Sequence, residues 1–196
     1  YDMTPLLREV MLLPDWFAPT VPGARDLASF SAQYEALWRA ALADIAPRQT
    51  ALVLRDYHVD NLMLLPDRRG AARCGQLDFQ DALIGSPAYD VSSLTQDARR
   101  DVDPALEAHL LTRYFAARPD LDTDLFMRDF HLLAAQRHAK IAGIFHRLAK
   151  RDTKPHYLAH VPRVLRLLAA ALDKAGLTEI AALMDAHLPD WRTANR

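Results

Sequence analysis

The chain is 196 residues long, with 24 basic and 25 acidic side chains and a formal net charge of −1. Its 51% of hydrophobic and 25% of charged residues exclude a disordered tail, and the balanced charge argues against a nucleic-acid binder held by phosphate contacts. A single cysteine excludes an internal disulfide, and no run of about 18 apolar residues predicts a membrane span. We therefore expect a monomeric globular domain in the reducing cytoplasm, with neither nucleic acid nor a membrane as partner.

Helical periodicity divides the chain into two helical parts around a different central segment. A short helix is predicted over 5–17, ending near Pro14, and a longer one begins after the N-cap Asp26 and ends before Pro47. Three short apolar runs then predict small β-pairs rather than a large sheet; they lie at 51–54, 62–65 and 73–79. After Pro87 the chain is predicted to be helical over 88–97, 104–117, 123–150, 155–175 and 178–187. The predicted fold class is α+β, mainly α, with a small β-insert.

The turns of this β-insert concentrate polar side chains between apolar strands. They hold Arg55, Asp56, His58, Asp60, Asn61, Asp78, Gln80 and Asp81, and Asp90 follows at the next helix. Crowded carboxylates repel one another and lose hydration unless a cation or hydrogen-bond donors compensate. Hard oxygen ligands of this kind select Mg²⁺ rather than zinc. The insert is therefore the expected place of the chemistry.

The spacing within the insert resembles a known pair of phosphoryl-transfer motifs. Asn61 follows Asp56 by five positions, and Asp78 follows Asn61 by seventeen. This is similar to the kinase catalytic loop H-R-D-x-x-x-x-N followed by D-F-G. Two positions depart from the motifs: Leu54 stands in place of the histidine and Gln80 in place of the glycine.

Longer strings resemble the aminoglycoside phosphotransferase family, which also contains choline-kinase-like members. They are Arg55-Asp56-Tyr57-His58, Leu77-Asp78-Phe79-Gln80-Asp81-Ala82 and Pro87-Ala88-Tyr89-Asp90. Further strings resemble the bacterial N-acetylmuramate/N-acetylglucosamine anomeric kinases of cell-wall recycling: Leu7-Arg8-Glu9-Val10-Met11, Pro14-Asp15-Trp16-Phe17, Gln136-Arg137-His138 and Pro162-Arg163-Val164. The resemblance implies that 1–196 is the C-terminal lobe of a protein-kinase-like fold. We expect the nucleotide-covering N-terminal lobe to be absent from this chain, because no G-x-G spacing occurs and no lysine precedes Asp56.

The resemblance also implies roles for individual residues. Asp56 would orient the acceptor hydroxyl and take its proton, while Asn61 and Asp78 would hold Mg²⁺ at the phosphates of the donor ATP. Asp90 and Arg55 would support the catalytic loop. Other polar side chains are open between two interpretations: His58, Asp60 and Asp81 as substrate contacts or loop hydrogen bonds, and Arg137, His138 and Lys140 as sugar contacts or a solvated helix face.

The leading hypothesis is an ATP- and Mg²⁺-dependent phosphotransferase acting on the anomeric hydroxyl of an N-acetyl amino sugar. A basic segment would line the acceptor site, pair with the lactyl carboxylate of N-acetylmuramate and repel a polycation. It comprises Arg137, His138, Lys140, His146, Arg147, Lys150 and Arg151. One alternative is an aminoglycoside-modifying phosphotransferase, with Asp60 and Asp81 forming an acidic pocket for the drug. The second is a non-catalytic pseudokinase module, against which the intact Asp56, Asn61 and Asp78 argue.

Overall fold

Residues 1–193, the part of the chain that the computed structural model describes, form seven α-helices and four short strands. The helices are α1 (Met3–Val10), α2 (Leu27–Ala41), α3 (Ala88–Thr95), α4 (Pro104–Ala117), α5 (Thr123–Arg151), α6 (Val161–Lys174) and α7 (Thr178–His187). Four of them begin at an aspartate whose carboxylate accepts a free backbone N–H of the first turn; these are Asp2, Asp26, Asp103 and Asp122. The expectation of a mainly helical α+β fold is confirmed.

Prolines explain where the helices depart from the predicted bounds. The predicted helix at 5–17 is α1 followed by a π-helical turn, Leu13–Phe17, because Pro14 has no N–H to donate to a preceding carbonyl. The predicted helix at 155–175 divides in the same way into a 3₁₀ segment, Pro155–His160, and α6, whose second residue is Pro162. The bounds of α4 and α7 are those predicted.

The strands form small β-pairs rather than a large sheet, as predicted; there are two antiparallel pairs among the described residues, and one strand was missed. β2 (Leu62–Leu64) pairs with β3 (Cys74–Gln76), and Cys74 is exposed. β1 (Ala51–Val53) pairs with β4 (Leu83–Gly85), which the sequence pattern did not predict. A strand of three residues whose partner lies far away in the chain leaves too little local pattern to identify it.

The long helix α5 runs through the core and packs against α1, α3, α6 and the π-helical turn. It is buried along most of its length, from Phe126 to His146. Gly143 marks its closest approach to the N-terminal segment, since a Cβ there would lie 2.1 Å from the carbonyl oxygen of Leu12. None of the helices within 1–193 is long and apolar enough to cross a membrane.

Candidate active site

The predicted catalytic loop begins where β1 ends, and α3 holds it through Asp90. Asp90, in the first turn of α3, accepts the backbone N–H of Leu54 through Oδ2 (2.6 Å) and that of Arg55 through Oδ1 (3.0 Å). Burial raises the pKa of Asp90 above its usual value, although the two backbone N–H groups lower it. Arg55 adopts a left-handed backbone conformation (φ 69°), so the loop turns sharply just before Asp56.

Asp56 lies at the tip of this turn and is exposed. Among the described residues its carboxylate has no hydrogen bond or ion pair, whereas its backbone carbonyl accepts the side-chain amide of Asn61 (2.9 Å). The amide therefore fixes the loop while leaving the carboxylate of Asp56 free to meet a substrate.

The β2–β3 pair brings Asn61 and Asp78 together. Leu62 is paired with Gln76, and the ladder continues one step further, with the N–H of Leu77 donating to the carbonyl of Asn61 (2.9 Å). Asp78 follows directly in a left-handed conformation (φ 56°) that turns the chain out of the strand. The two predicted metal-binding side chains thus lie at the same end of one β-pair.

The donor atoms at this end of the β-pair fit Mg²⁺. The amide nitrogen of Asn61 is used in the bond to Asp56, which leaves its Oδ1 available, and one oxygen of Asp78 accepts the side-chain amide of Gln80 (2.6 Å). Both residues offer oxygen, the ligand atom that Mg²⁺ prefers. No group of three His, Cys, Asp or Glu side chains within the described chain is arranged as a metal site. Asn61 and Asp78 alone therefore supply a partial ligand set, as expected where phosphate and water complete the coordination.

His58 and Asp60 lie on the other side of the loop. His58 is buried, with Nε2 3.4 Å from the amide nitrogen of Asn61 and Nδ1 3.8 Å from Oδ2 of Asp60. Burial lowers the pKa of His58, and the nearby Arg99 lowers it further. Asp60 is exposed and ion-paired with Arg100. His58 is thus a buried part of the loop in contact with Asn61, and Asp60 is paired with a cation at the surface.

The basic segment on α5 does not form a solvated face, and that interpretation is wrong. Arg137, His138 and Lys140 are all buried, as is His146. His138 lies 3.0 Å from Oε1 of Gln96 through its Nε2. Arg151 is exposed but paired with Asp152. These side chains are thus no continuous positive lining, although a sugar contact for Arg137 or His138 stays a prediction.

We predict that buried His138 makes the fold acid-sensitive. Burial, aided by Arg137, lowers its pKa from 6.5 to about 3. Between these values the unfolded chain binds a proton that the folded chain does not, so stability falls as the pH falls, by about 1 kcal/mol per pH unit. Urea unfolding between pH 6.5 and 5 is expected to show this slope and to show a flatter one for His138→Gln. The control is His109→Gln, at an exposed histidine of α4, which should keep the wild-type slope. An unchanged slope of stability against pH in His138→Gln would contradict the prediction.

Comparison with known proteins identifies the family. Residues 7–124 match the phosphotransferase enzyme family APH. This match includes every residue of the two loops and extends over more than half of the chain. The chain belongs to this family.

Relatives within the phosphotransferase family carry one name. The chain is 43% identical over 178 residues to an N-acetylmuramate/N-acetylglucosamine kinase of Caulobacter vibrioides, covering 89% of the chain and 49% of the relative. Proteins of that name in Neisseria meningitidis (38% identity, 86% of the chain, 51% of the relative) and Pseudomonas aeruginosa (35%, 99% and 58%) are also similar. The chain spans about half the length of these curated relatives.

The structure adds one site residue that sequence reasoning did not single out. Glu9 on α1 is buried and ion-paired with Arg55, whose other guanidinium nitrogen donates to the carbonyl of Asp81 (3.2 Å). A signal was present in the sequence. Glu9 lies three positions after Leu6, on the apolar face of the helix that also carries Val10. A carboxylate on that face is buried and therefore needs hydrogen-bonding or charged partners.

Proposed function

We propose that residues 1–196 form the C-terminal lobe of a protein-kinase-like phosphotransferase that uses ATP and Mg²⁺ to phosphorylate a sugar hydroxyl. The observation that carries the proposal is the arrangement of Asp56, Asn61 and Asp78. The side chain of Asn61 donates to the carbonyl of Asp56, and the carbonyl of Asn61 accepts the N–H of Leu77, the residue before Asp78. Phosphoryl transfer needs positioned oxygen ligands and a group that orients the acceptor, and it needs no protein nucleophile. This arrangement supplies both.

In this mechanism the chain positions the reactants. Asp56 accepts the hydrogen bond of the acceptor hydroxyl and takes its proton as the bond to phosphorus forms. Asn61 and Asp78 would hold Mg²⁺, which would neutralise charge on the donor phosphates when bound. Asp90 keeps the loop in place, so little reorganisation is needed during transfer.

Exposed apolar side chains around the loops support a second lobe. Leu52 is 61% exposed, its partner across the β-pair Ile84 50%, and Phe79 56%. Apolar side chains concentrated at one place on a surface favour a covering partner. We propose that the covering part is the rest of the protein, since the relatives are about twice as long as this chain.

The proposed acceptor is an N-acetyl amino sugar, phosphorylated on its anomeric hydroxyl. The names of the relatives support this class of substrate. A cavity of about 530 Å³ beside the catalytic loop supports an uncharged or anionic ligand, because Tyr57, Tyr114 and Arg113 line it. The one carboxylate in its lining, that of Asp90, is already bound to backbone N–H groups. A polycationic aminoglycoside would find no free carboxylate there.

A comparison of acceptors tests the proposal. The full-length protein is assayed with ATP, Mg²⁺ and N-acetylmuramate, N-acetylglucosamine or kanamycin, and the phosphate position is assigned by NMR. We expect kcat/KM for an N-acetyl sugar to exceed that for kanamycin by about tenfold or more. Preference for kanamycin would favour the aminoglycoside alternative, phosphate on another oxygen would refute the anomeric assignment, and turnover of none would favour the binding module.

We also predict that residues 1–196 alone fold cooperatively but do not turn over ATP. The helices and the β-pairs share one core, while the chain has no G-x-G segment and no lysine before Asp56 to hold the phosphates. Calorimetry of the isolated chain is expected to give one thermal transition, and a coupled assay with sugar and ATP is expected to give no product. Sugar-dependent turnover by this chain alone would contradict the prediction.

A further inference from the structure

Glu9 is a buried carboxylate that the proposed phosphoryl transfer does not itself use. It is only 4% exposed. Its oxygens accept from four side chains: Arg55, Lys140 (3.1 Å), Gln136 (3.3 Å) and the hydroxyl of Tyr1. Burial raises the pKa of Glu9, but Lys140, Tyr1 and Arg55 together hold it below its usual value. Glu9 is therefore an ionised carboxylate that binds side chains of α5 and the catalytic loop to α1.

Arg55 connects Glu9 to the loop of Asp56 and to the loop of Asp78. One terminal nitrogen of its guanidinium pairs with Glu9, and the other, Nη1, donates to the carbonyl of Asp81 (3.2 Å). Arg55 directly precedes Asp56, and Asp81 lies three positions after Asp78. A single planar guanidinium thus fixes the distance between the loop of Asp56 and the loop of Asp78.

The backbone at Arg55 needs this support. Its left-handed conformation is unfavourable for a residue with a side chain and persists only where its surroundings determine it. Asp90 holds the backbone N–H of Arg55, and Glu9 holds the side chain. Without the carboxylate of Glu9, the cations of Arg55 and Lys140 would lose the one counterion that pairs with both of them, and mutual repulsion would displace Arg55.

We propose that Glu9 is a positioning residue for phosphoryl transfer, which acts through Arg55 to set the separation of Asp56 and Asp78. This inference rests on the proposed function. It predicts that loss of the Glu9 charge lowers the rate of the chemical step more than it changes binding of the sugar. The reacting groups are displaced, while the part of the cavity lining that lies on α4, Arg113 and Tyr114, keeps its place.

The test is Glu9→Gln in the full-length protein. We expect kcat to fall by about tenfold or more, with KM for the sugar changed by less than about threefold. In an Arg55→Gln background the same substitution should lower kcat by less than about twofold further, because both act through one contact. Glu9→Asp, which keeps the charge, should recover part of the lost rate.

A matched control separates positioning from stability. Asp129 is another buried carboxylate, on α5, that pairs with Arg48 and accepts the hydroxyl of Ser86 (3.2 Å). Asp129→Asn should lower Tm as Glu9→Gln does but leave kcat within about twofold of wild type. Hydrogen exchange at the backbone amides of Leu54 and Arg55 gives a readout that needs no substrate: it should rise in Glu9→Gln and not in Asp129→Asn.

Each outcome bears on one proposal. Wild-type kcat in Glu9→Gln, or a loss no greater than in Asp129→Asn at equal Tm, would overturn the positioning role. Should the wild-type protein phosphorylate no acceptor, the proposed function fails, and hydrogen exchange still decides on Glu9. Unchanged exchange at Leu54 and Arg55 in Glu9→Gln would then overturn the inference.

Discussion

Asp56→Asn in the full-length protein is expected to lower kcat by about 100-fold or more while the Tm stays within about 2 °C of wild type. The carboxylate of Asp56 is exposed and has no hydrogen bond or ion pair within residues 1–193, so its removal breaks no such contact. The lost charge attraction to Lys140 is partly offset by the lost repulsion of Asp90. An asparagine keeps the shape but cannot take the proton of the acceptor. Asp78→Asn is expected to lower kcat similarly, because one negative ligand for Mg²⁺ is lost.

The measurement is steady-state turnover with saturating ATP, sugar and Mg²⁺, accompanied by thermal unfolding. Asp67→Asn is the control, since Asp67 is an exposed aspartate in the turn after β2. It should retain wild-type kcat. Turnover near wild type in Asp56→Asn would remove the basis of the proposed function.

The largest effect on stability is expected from Gly143→Ala. In an exposed helix this change stabilises by about 1 kcal/mol, because alanine is the better helix former. At Gly143 the new Cβ would lie 2.1 Å from the carbonyl oxygen of Leu12 and 2.3 Å from its carbonyl carbon. Backbone atoms of Leu12, the residue before the π-helical turn, cannot rotate away as a side chain can, so the two segments must separate. We expect a net loss of about 3 kcal/mol, or about 10 °C in Tm.

Urea and thermal unfolding of the variant measure this loss. Gly70→Ala is the control for the type of substitution, because a Cβ there meets no atom within 4 Å. Gly70 has a positive φ of 57°, so this control should lose only about 1 kcal/mol from backbone strain. A Gly143→Ala protein as stable as wild type would show that α5 and the π-helical turn are not packed as described.

Some elements could be predicted because the residues that specify them lie within a few positions of one another in the sequence. Asp103 and Pro104 together specify the start of α4, since a capping carboxylate and a residue without an N–H suit the first turn. The positions of Asp56, Asn61 and Asp78 were predicted for a similar reason, because their loops flank short apolar runs. The resemblance implied that Asn61 and Asp78 hold metal ions together. That they share one end of a β-pair was not predicted, because no local pattern shows which strands pair.

Features that depend on contacts between residues far apart in the chain were not predicted from the sequence. β4 was missed because its partner β1 lies far away in the chain, and the burial of Lys140 was missed because its counterion, Glu9, lies on another helix. A basic side chain on a helix is predicted to be exposed to solvent unless a carboxylate that pairs with it is known. Pairing across the fold, rather than the residue type, decided which charges are buried.

Cys74 offers a way to observe the two loops directly. Within these 196 residues it is the only cysteine, and it is exposed on β3, three residues before Leu77. Burial raises the pKa of Tyr57, the neighbour of Asp56, and the thiol of Cys74 raises it further, which places the sulfur near the catalytic loop. A thiol-reactive fluorophore would therefore attach at one position in this chain. That position, Cys74, lies on the strand that leads to Asp78 and is close to the loop that carries Asp56. A change in its emission on addition of ATP to the full-length protein would report the proposed nucleotide binding at these loops in real time.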